Sequence, residues 1–347
     1  MYRIFMSNKH DVGISVCKGL LIILMVVGHC GENVPYLIRN TIYLFHMPCF
    51  FIISGFLFKE QYLQDIKTFI KRKFKTLYLP FVKWGVIFFL LNSVFIKFNI
   101  YSHCFFTDYK EWGIKIFLMT RNEPLLSGFW FLRELLCSSI ITILLLKIYT
   151  NLNISINFKT LSIAVLFFVL LAIGLNSFAL KFPLISSKTF LATAYFIFGY
   201  ILKIYNKKPS LLLTVTGIII LFIISSFYSG HIDIKKHIYI YFIVSLFGSY
   251  SFLYFSTYIK IGTKFLDYIG KNTLYILTFH LLSFKIVSLI IIIIHQLPME
   301  RLSDYPVINI QCYWILYSVI GIIFPLIIGE LIKKINNYFY RLFYNNA

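Results

Sequence analysis

The stretches Leu161–Leu175 and Leu211–Phe227 contain no charged residue, and Ile286–Ile294 is equally apolar. Runs of this kind recur along the whole chain, so no soluble core could cover them all. Crossing the hydrocarbon of a bilayer takes about 20 mostly apolar residues. Within lipid every backbone polar group must find its partner inside the segment, which a helix achieves. The chain is 59% hydrophobic with a mean hydropathy of +0.81, where a soluble domain is nearer half apolar. These runs therefore predict an all-α fold: a polytopic integral membrane helical bundle, with residues 1–347 forming one transmembrane domain.

Ten spans are expected, at about 13–33, 37–58, 76–98, 125–147, 158–178, 189–205, 210–229, 238–259, 272–295 and 311–332. The most basic connections are KEQYLQDIKTFIKRKFKT, KIYNKKP, KIGTKFLDYIGK and the terminal KKINNYFYRLF. All four fall on one side of a ten-span topology. Positive charge marks the cytoplasmic side, so both termini are expected in the cytoplasm. The outer loops then include 99–124 and 296–310, where charge is mixed. The first apolar segment has no cleavage pattern of a signal peptide and reads as a retained helix.

The formal net charge of +20 does not point to nucleic acid, because the basic residues sit at segment ends and no folded basic domain is present. The cysteines Cys17, Cys30, Cys49, Cys104, Cys137 and Cys312 show no metal or redox spacing. Cys104 and Cys312, both expected outside, could pair. No internal repeat is visible, which weighs against an inverted-repeat transporter.

Ionisable groups inside spans are costly and normally face a partner or a wet cavity. In the first span, Lys18 and His29 are eleven residues apart. That spacing puts them on nearly the same helix face, roughly 16 Å apart along the axis. Lys18 either snorkels to the headgroups or faces the interior. His29 is either a helix-end histidine on a carbonyl or a functional ring. In the second span, YLFHMPCFFIISGFLF, Pro48 removes a backbone donor, and His46 lies in the loosened turn. Ser54 and Gly55 allow close approach of another helix. This span is expected to line a cavity, with His46 pointing into it or held in an inter-helix hydrogen bond.

The fourth span opens SGFWFLRELL. Trp130 suits an interface, and Arg133 and Glu134 lie within apolar sequence. Adjacent helical residues point about 100° apart, so these two need not pair with each other. The ninth span, KNTLYILTFHLLSFK, carries Asn272, Tyr275, His280 and Lys285; His280 alone reads most simply as a satisfied core histidine. His10, His103, His231 and His237 read as solvated, and His295 as interfacial.

These residues resemble a known family. KGLLIILMVVGHC followed by FHMPCFFIISGFLFK is similar to the opening motifs of the membrane-bound acyltransferase-3 family, in its polysaccharide O-acetyltransferase branch related to fucose 4-O-acetylase. KRKFKTLYLPF, GFWFLREL, ATAYFIFGYIL and IGKNTLYILTFHLL follow in the family's order across the whole chain. Two departures stand out. The family often carries Asp three residues before the basic residue of the first motif, where this chain has Ser15. That basic residue is Lys18, where many members have Arg, so a bidentate grip is not available. Asp11 lies one turn earlier.

The resemblance implies transfer of an acetyl group from cytoplasmic acetyl-CoA, as co-substrate, to a hydroxyl of a surface-polysaccharide sugar or its lipid-linked precursor, in a bacterial cytoplasmic membrane and without a metal. His29 is the expected catalytic imidazole, with His46 and Lys18 assisting. The basic stretch Lys67, Lys71, Arg72, Lys73 and Lys75 either holds the donor's phosphates or reports topology alone. Arg133, Glu134, Trp130, Asn272, Tyr275 and His280 are candidates for acceptor or oxyanion contacts. The rival readings are a transporter or flippase for lipid-linked glycans and a non-enzymatic membrane scaffold.

Overall fold

The computed structural model describes residues 12–105, 108–178, 185–205, 210–227, 234–310 and 312–344; His10, Asp11 and His231 lie outside them. Among these residues the structure is helical throughout, with no strand. The helices are α1 (Val12–Gly28), α2 (Tyr36–Phe56), α3 (Ile66–Lys73), α4 (Leu79–Leu90), α5 (Asn92–Lys97), α6 (Tyr109–Phe117) and α7 (Trp130–Asn151). They continue as α8 (Phe158–Ser177), α9 (Ser187–Tyr205), α10 (Leu211–Phe227), α11 (Ile234–Ser256), α12 (Thr263–Lys271), α13 (Thr273–Ile294) and α14 (Trp314–Tyr344).

Among the described residues, six segments are long and apolar enough to cross a membrane: α2, residues 124–151 ending in α7, α8, residues 237–256 of α11, α13 and residues 314–339 of α14. α1 and α10 are shorter apolar helices. The expected single span 76–98 is not one helix. A π-helical turn at Phe74–Tyr78 leads into α4, and the chain breaks at Leu91 before α5. Asn92 follows that break; a short polar side chain competes with helical backbone bonding.

Contacts between chain-distant residues define two ends of the bundle. At the basic end, Lys147 donates to Leu63 O (3.2 Å), Lys203 donates to Phe58 O, and Lys333 Nζ donates to Asn272 Oδ1 (2.7 Å). At the opposite end, Asn33 donates to Ile308 O (3.0 Å) and Asn40 to Ser225 O (3.1 Å). Ser15 at the start of α1 meets Gly270, and Lys333 in the second half of α14 meets Asn272, both at the α12–α13 junction. The described beginning and end of the chain therefore lie at the same end.

Two crossings hold the central helices at backbone contact. A Cβ on Gly55 of α2 would lie 1.8 Å from Phe196 O of α9, and one on Gly199 would lie 1.9 Å from Ile52 O. At the α1–α12 crossing, a Cβ on Gly270 would lie 1.9 Å from Ser15 O, and one on Gly19 would lie 2.2 Å from Leu266 O. Glycine pairs let helices pack this closely where no hydrophobic drive between helices operates. The expected close approach at Gly55 is thus made to α9. Cys104 and Cys312, which could have paired, are both exposed and, like the other four cysteines, form no disulfide.

Candidate active site

The described part of α1, 17 residues, rises about 25 Å. It stops inside the bundle. Its last carbonyls are satisfied there, because Tyr43 OH donates to Gly28 O (2.9 Å) and Cys30 Sγ to Val26 O (3.4 Å). His29 follows the last helical residue. Beyond it, α2 begins seven residues before Tyr43, roughly 10 Å of further helix. A helix end at this depth survives because protein surrounds it.

His29 meets α13 there. Its Nδ1 lies 2.9 Å from Nε2 of His280, with 5.0 Å between ring centroids and 17° between planes, so the two rings meet edge to edge in nearly one plane. His280 is fully buried. Its Nδ1 lies 3.0 Å from Ile276 O and 3.1 Å from Leu277 O. His29 is only half-buried, so it is the member of the pair with a free edge. His46 is turned inward and almost wholly covered, with Nδ1 2.7 Å from Ile42 O of its own helix and its ring edge-on to Tyr43. It is held within its helix rather than across helices, and it lies within electrostatic reach of His29.

Lys18 is half-buried at the basic end, on the α1 face that packs against α12. A carboxylate does stand in its field, but it comes from Asp267 of α12 rather than from the Ser15 position. Asp267 Oδ2 accepts from Lys271 (2.5 Å), while its buried Oδ1 has no hydrogen-bond partner. Nothing local in the α1 sequence announces this partner, 249 positions away.

The basic stretch divides. Lys67, Lys71, Arg72 and Lys75 are exposed, with Arg72 donating to Tyr62 OH. Lys73 turns in, its Nζ 5.4 Å from the Phe69 ring centroid and 5.6 Å from that of Phe196. Burial, with Arg72 beside it, brings its ammonium down to about 8. α3 is fixed under α2 and α9 by buried Phe69 and is capped by Asp65, whose Oδ1 accepts from Thr68 N (3.0 Å).

Arg133 and Glu134 pair with each other, which their adjacent positions did not require: Arg133 Nη2 and Nε lie 2.5 and 3.1 Å from Glu134 Oε1. Flexible side chains bridge the angle between neighbouring Cα positions. Glu134, fully buried, also accepts from Thr189 of α9 (2.5 Å). Trp130 lies beneath Lys188, 5.1 Å from its ring. Asn272 and Tyr275 lie apart from the histidines, near the basic end. Lys333 donates to Asn272 Oδ1 and sits 5.6 Å from the Tyr275 ring. His295 contacts Tyr313 OH (3.0 Å), His103 is exposed beside Ser102, and His237 is half-buried rather than solvated.

Sequence reasoning missed a second buried acid. Glu123, just before α7, accepts from Tyr101 OH and, at 3.0 Å, from Leu125 N. Burial pushes its carboxyl up to about 7. Only its place in the mixed-charge outer loop hinted at a role.

Comparison with known proteins agrees with the helical architecture and its motifs. A family model described as an acyltransferase domain, Acyl_transf_3, matches residues 11–330. The chain is similar to the nodulation protein NolL of Sinorhizobium fredii, 28% identical over 148 residues, which are 39% of this chain and 37% of that protein. It is also similar to NolL of Mesorhizobium japonicum, 30% identical over 102 residues, 26% of this chain and 27% of that protein. The alignments thus span little more than a third, and about a quarter, of these relatives. No solved structure matches the chain. With the family model covering nearly its whole length, this multi-helix membrane chain belongs to the acyltransferase-3 family.

Proposed function

We propose that the chain is a membrane O-acetyltransferase that moves an acetyl group from acetyl-CoA to a hydroxyl of a surface-polysaccharide sugar or its lipid-linked precursor. The observation that carries this reading is the termination of α1 inside the bundle, which presents a half-buried imidazole, His29, roughly 10 Å of α2 in from that helix's outer end. A scaffold has no use for such a ring, and burying polar groups in a bundle is costly unless they work or are satisfied.

In this reading the basic end faces the cytoplasm of a bacterial cell membrane. The exposed Lys71, Arg72 and Lys75 attract the donor's phosphates. Lys18 lies one α1 face below His29, along the path a long, thin thioester arm would follow. His29 Nε2 takes the proton of the acceptor hydroxyl as its oxygen attacks the thioester carbonyl. The new C–O bond forms, and the C–S bond breaks with its electron pair leaving on sulfur. The thiolate then recovers the proton from His29. A two-step route through an acyl-imidazole uses the same nitrogen.

The test is transfer of label from acetyl-CoA to carbohydrate in membranes containing the full-length chain. The wild type labels glycan, and His29→Ala does not, while remaining folded in the membrane. Absence of label with the wild type, or near-normal transfer by His29→Ala, overturns the proposal.

A further inference from the structure

His280 has both ring nitrogens engaged, and the identity of their partners fixes where its proton sits. Ile276 O and Leu277 O can only accept. At 3.0 and 3.1 Å from both, Nδ1 of His280 must therefore carry hydrogen. In the neutral ring Nε2 then holds a lone pair. That lone pair faces His29 Nδ1 at 2.9 Å, so His29 must donate through Nδ1. The neutral His29 ring is left with its lone pair on Nε2. No hydrogen bond to His29 Nε2 is made within the described residues, and His29 is the half-buried member of the pair.

We propose that His280 is a positioning residue: through two backbone carbonyls of α13 it selects the Nδ1–H tautomer of His29 and aims its Nε2 lone pair at the reacting hydroxyl. This rests on the reading of His29 as the imidazole of acyl transfer. Setting a tautomer through the far ring nitrogen is a general way to orient an imidazole. Here a second imidazole stands where a carboxylate often does. A carboxylate would add a negative charge to a water-poor interior at high cost, whereas a neutral ring avoids this. When His29 takes the hydroxyl proton, its positive charge is shared through Nδ1–H with His280 Nε2. The His280 Nδ1–H is already directed at two carbonyl oxygens, so that charge meets aligned dipoles. The rings are nearly coplanar, as an in-plane N–H···N bond requires, and the edge-on Phe284 (5.8 Å, 90°) hinders rotation of His280 that would break the chain of bonds.

The test uses the full chain with 15N-labelled histidine in nanodiscs. Ring nitrogen shifts distinguish protonated from lone-pair nitrogens, and the His29 signals are identified by their loss in His29→Gln. The expected result for the wild type is His29 protonated on Nδ1 and bare on Nε2. A wild-type His29 protonated on Nε2 overturns the proposal without any variant. In kinetics, His280→Leu removes the acceptor and is expected to lower kcat by about 10²–10⁴, the span of general-base assistance. His280→Gln, whose Oε1 can accept from His29 Nδ1–H, is expected to recover at least ~10-fold over His280→Leu. Unchanged kcat in His280→Leu, or a folded His280→Gln no better than His280→Leu, also overturns it. The two proposals fail separately. An Nδ1–H His29 in a chain that transfers no acetyl group removes the function and leaves the tautomer assignment. Acetyl transfer with an Nε2–H His29 does the reverse.

Discussion

The α1–α12 crossing sets the distance between His29 and His280, and Gly270→Ala measures how tightly. A Cβ at residue 270 would sit 1.9 Å from Ser15 O, where ordinary contact begins at 3.4 Å, a shortfall of 3.4 − 1.9 = 1.5 Å. The obstacle is a backbone carbonyl and cannot rotate away, so α12 must move. α12 ends at Lys271 and α13 starts at Thr273, with Asn272 alone between them. The shift is thus passed to α13. If half of it reaches His280, the 2.9 Å contact with His29 opens to about 3.7 Å, beyond hydrogen bonding. Overpacking costs about 1–3 kcal/mol, offset by up to ~1 kcal/mol of helix propensity gained over glycine. A modest loss of stability is therefore expected. Activity falls more, on the order of 10²-fold, because small misplacement of a reacting group is expensive. Gly174→Ala in α8 is the control: nothing lies within 4 Å of its Cβ, and a slight gain in stability is expected. Thermal unfolding of the purified protein and acetyl transfer in membranes are the assays. A Gly270→Ala protein as active as the wild type would refute the claim that this crossing positions the histidines.

Two further outcomes follow from buried acids. Glu123 has its carboxyl raised from 4.5 to about 7 by burial. Its folded state binds the proton more tightly than the unfolded chain. Its contribution to stability is therefore fully present below about pH 4.5 and is lost as pH rises through about 7. Glu123→Gln should flatten that part of the stability–pH curve; an unchanged curve between these pH values sinks the assignment. Glu134→Ala strands the Arg133 guanidinium and is expected to cost about 3–5 kcal/mol, as when one partner of a buried pair is removed. Wild-type yield and unfolding temperature for this variant would show the pair to be dispensable.

The membrane location, the helical class and the approximate places of nine of the ten expected helices are legible in the apolar runs, since twenty residues of hydrocarbon-compatible sequence leave few alternatives. His29, His46, Lys18 and Arg133 also stand out, because an ionisable group amid Leu, Ile and Phe is conspicuous in any window. Periodicity along one helix tells which of its residues share a face, but not which other helix that face will meet. The hydrogen bond between His29 and His280, 251 positions apart, the arrival of Asp267 near Lys18, and the pairing of Arg133 with Glu134 depend on glycine crossings and helix ends that exist only once the bundle has assembled. So does the division of 76–98 into pieces. What the chain alone determined is which side chains are too polar for lipid; the packed fold decided which of them became each other's solvent.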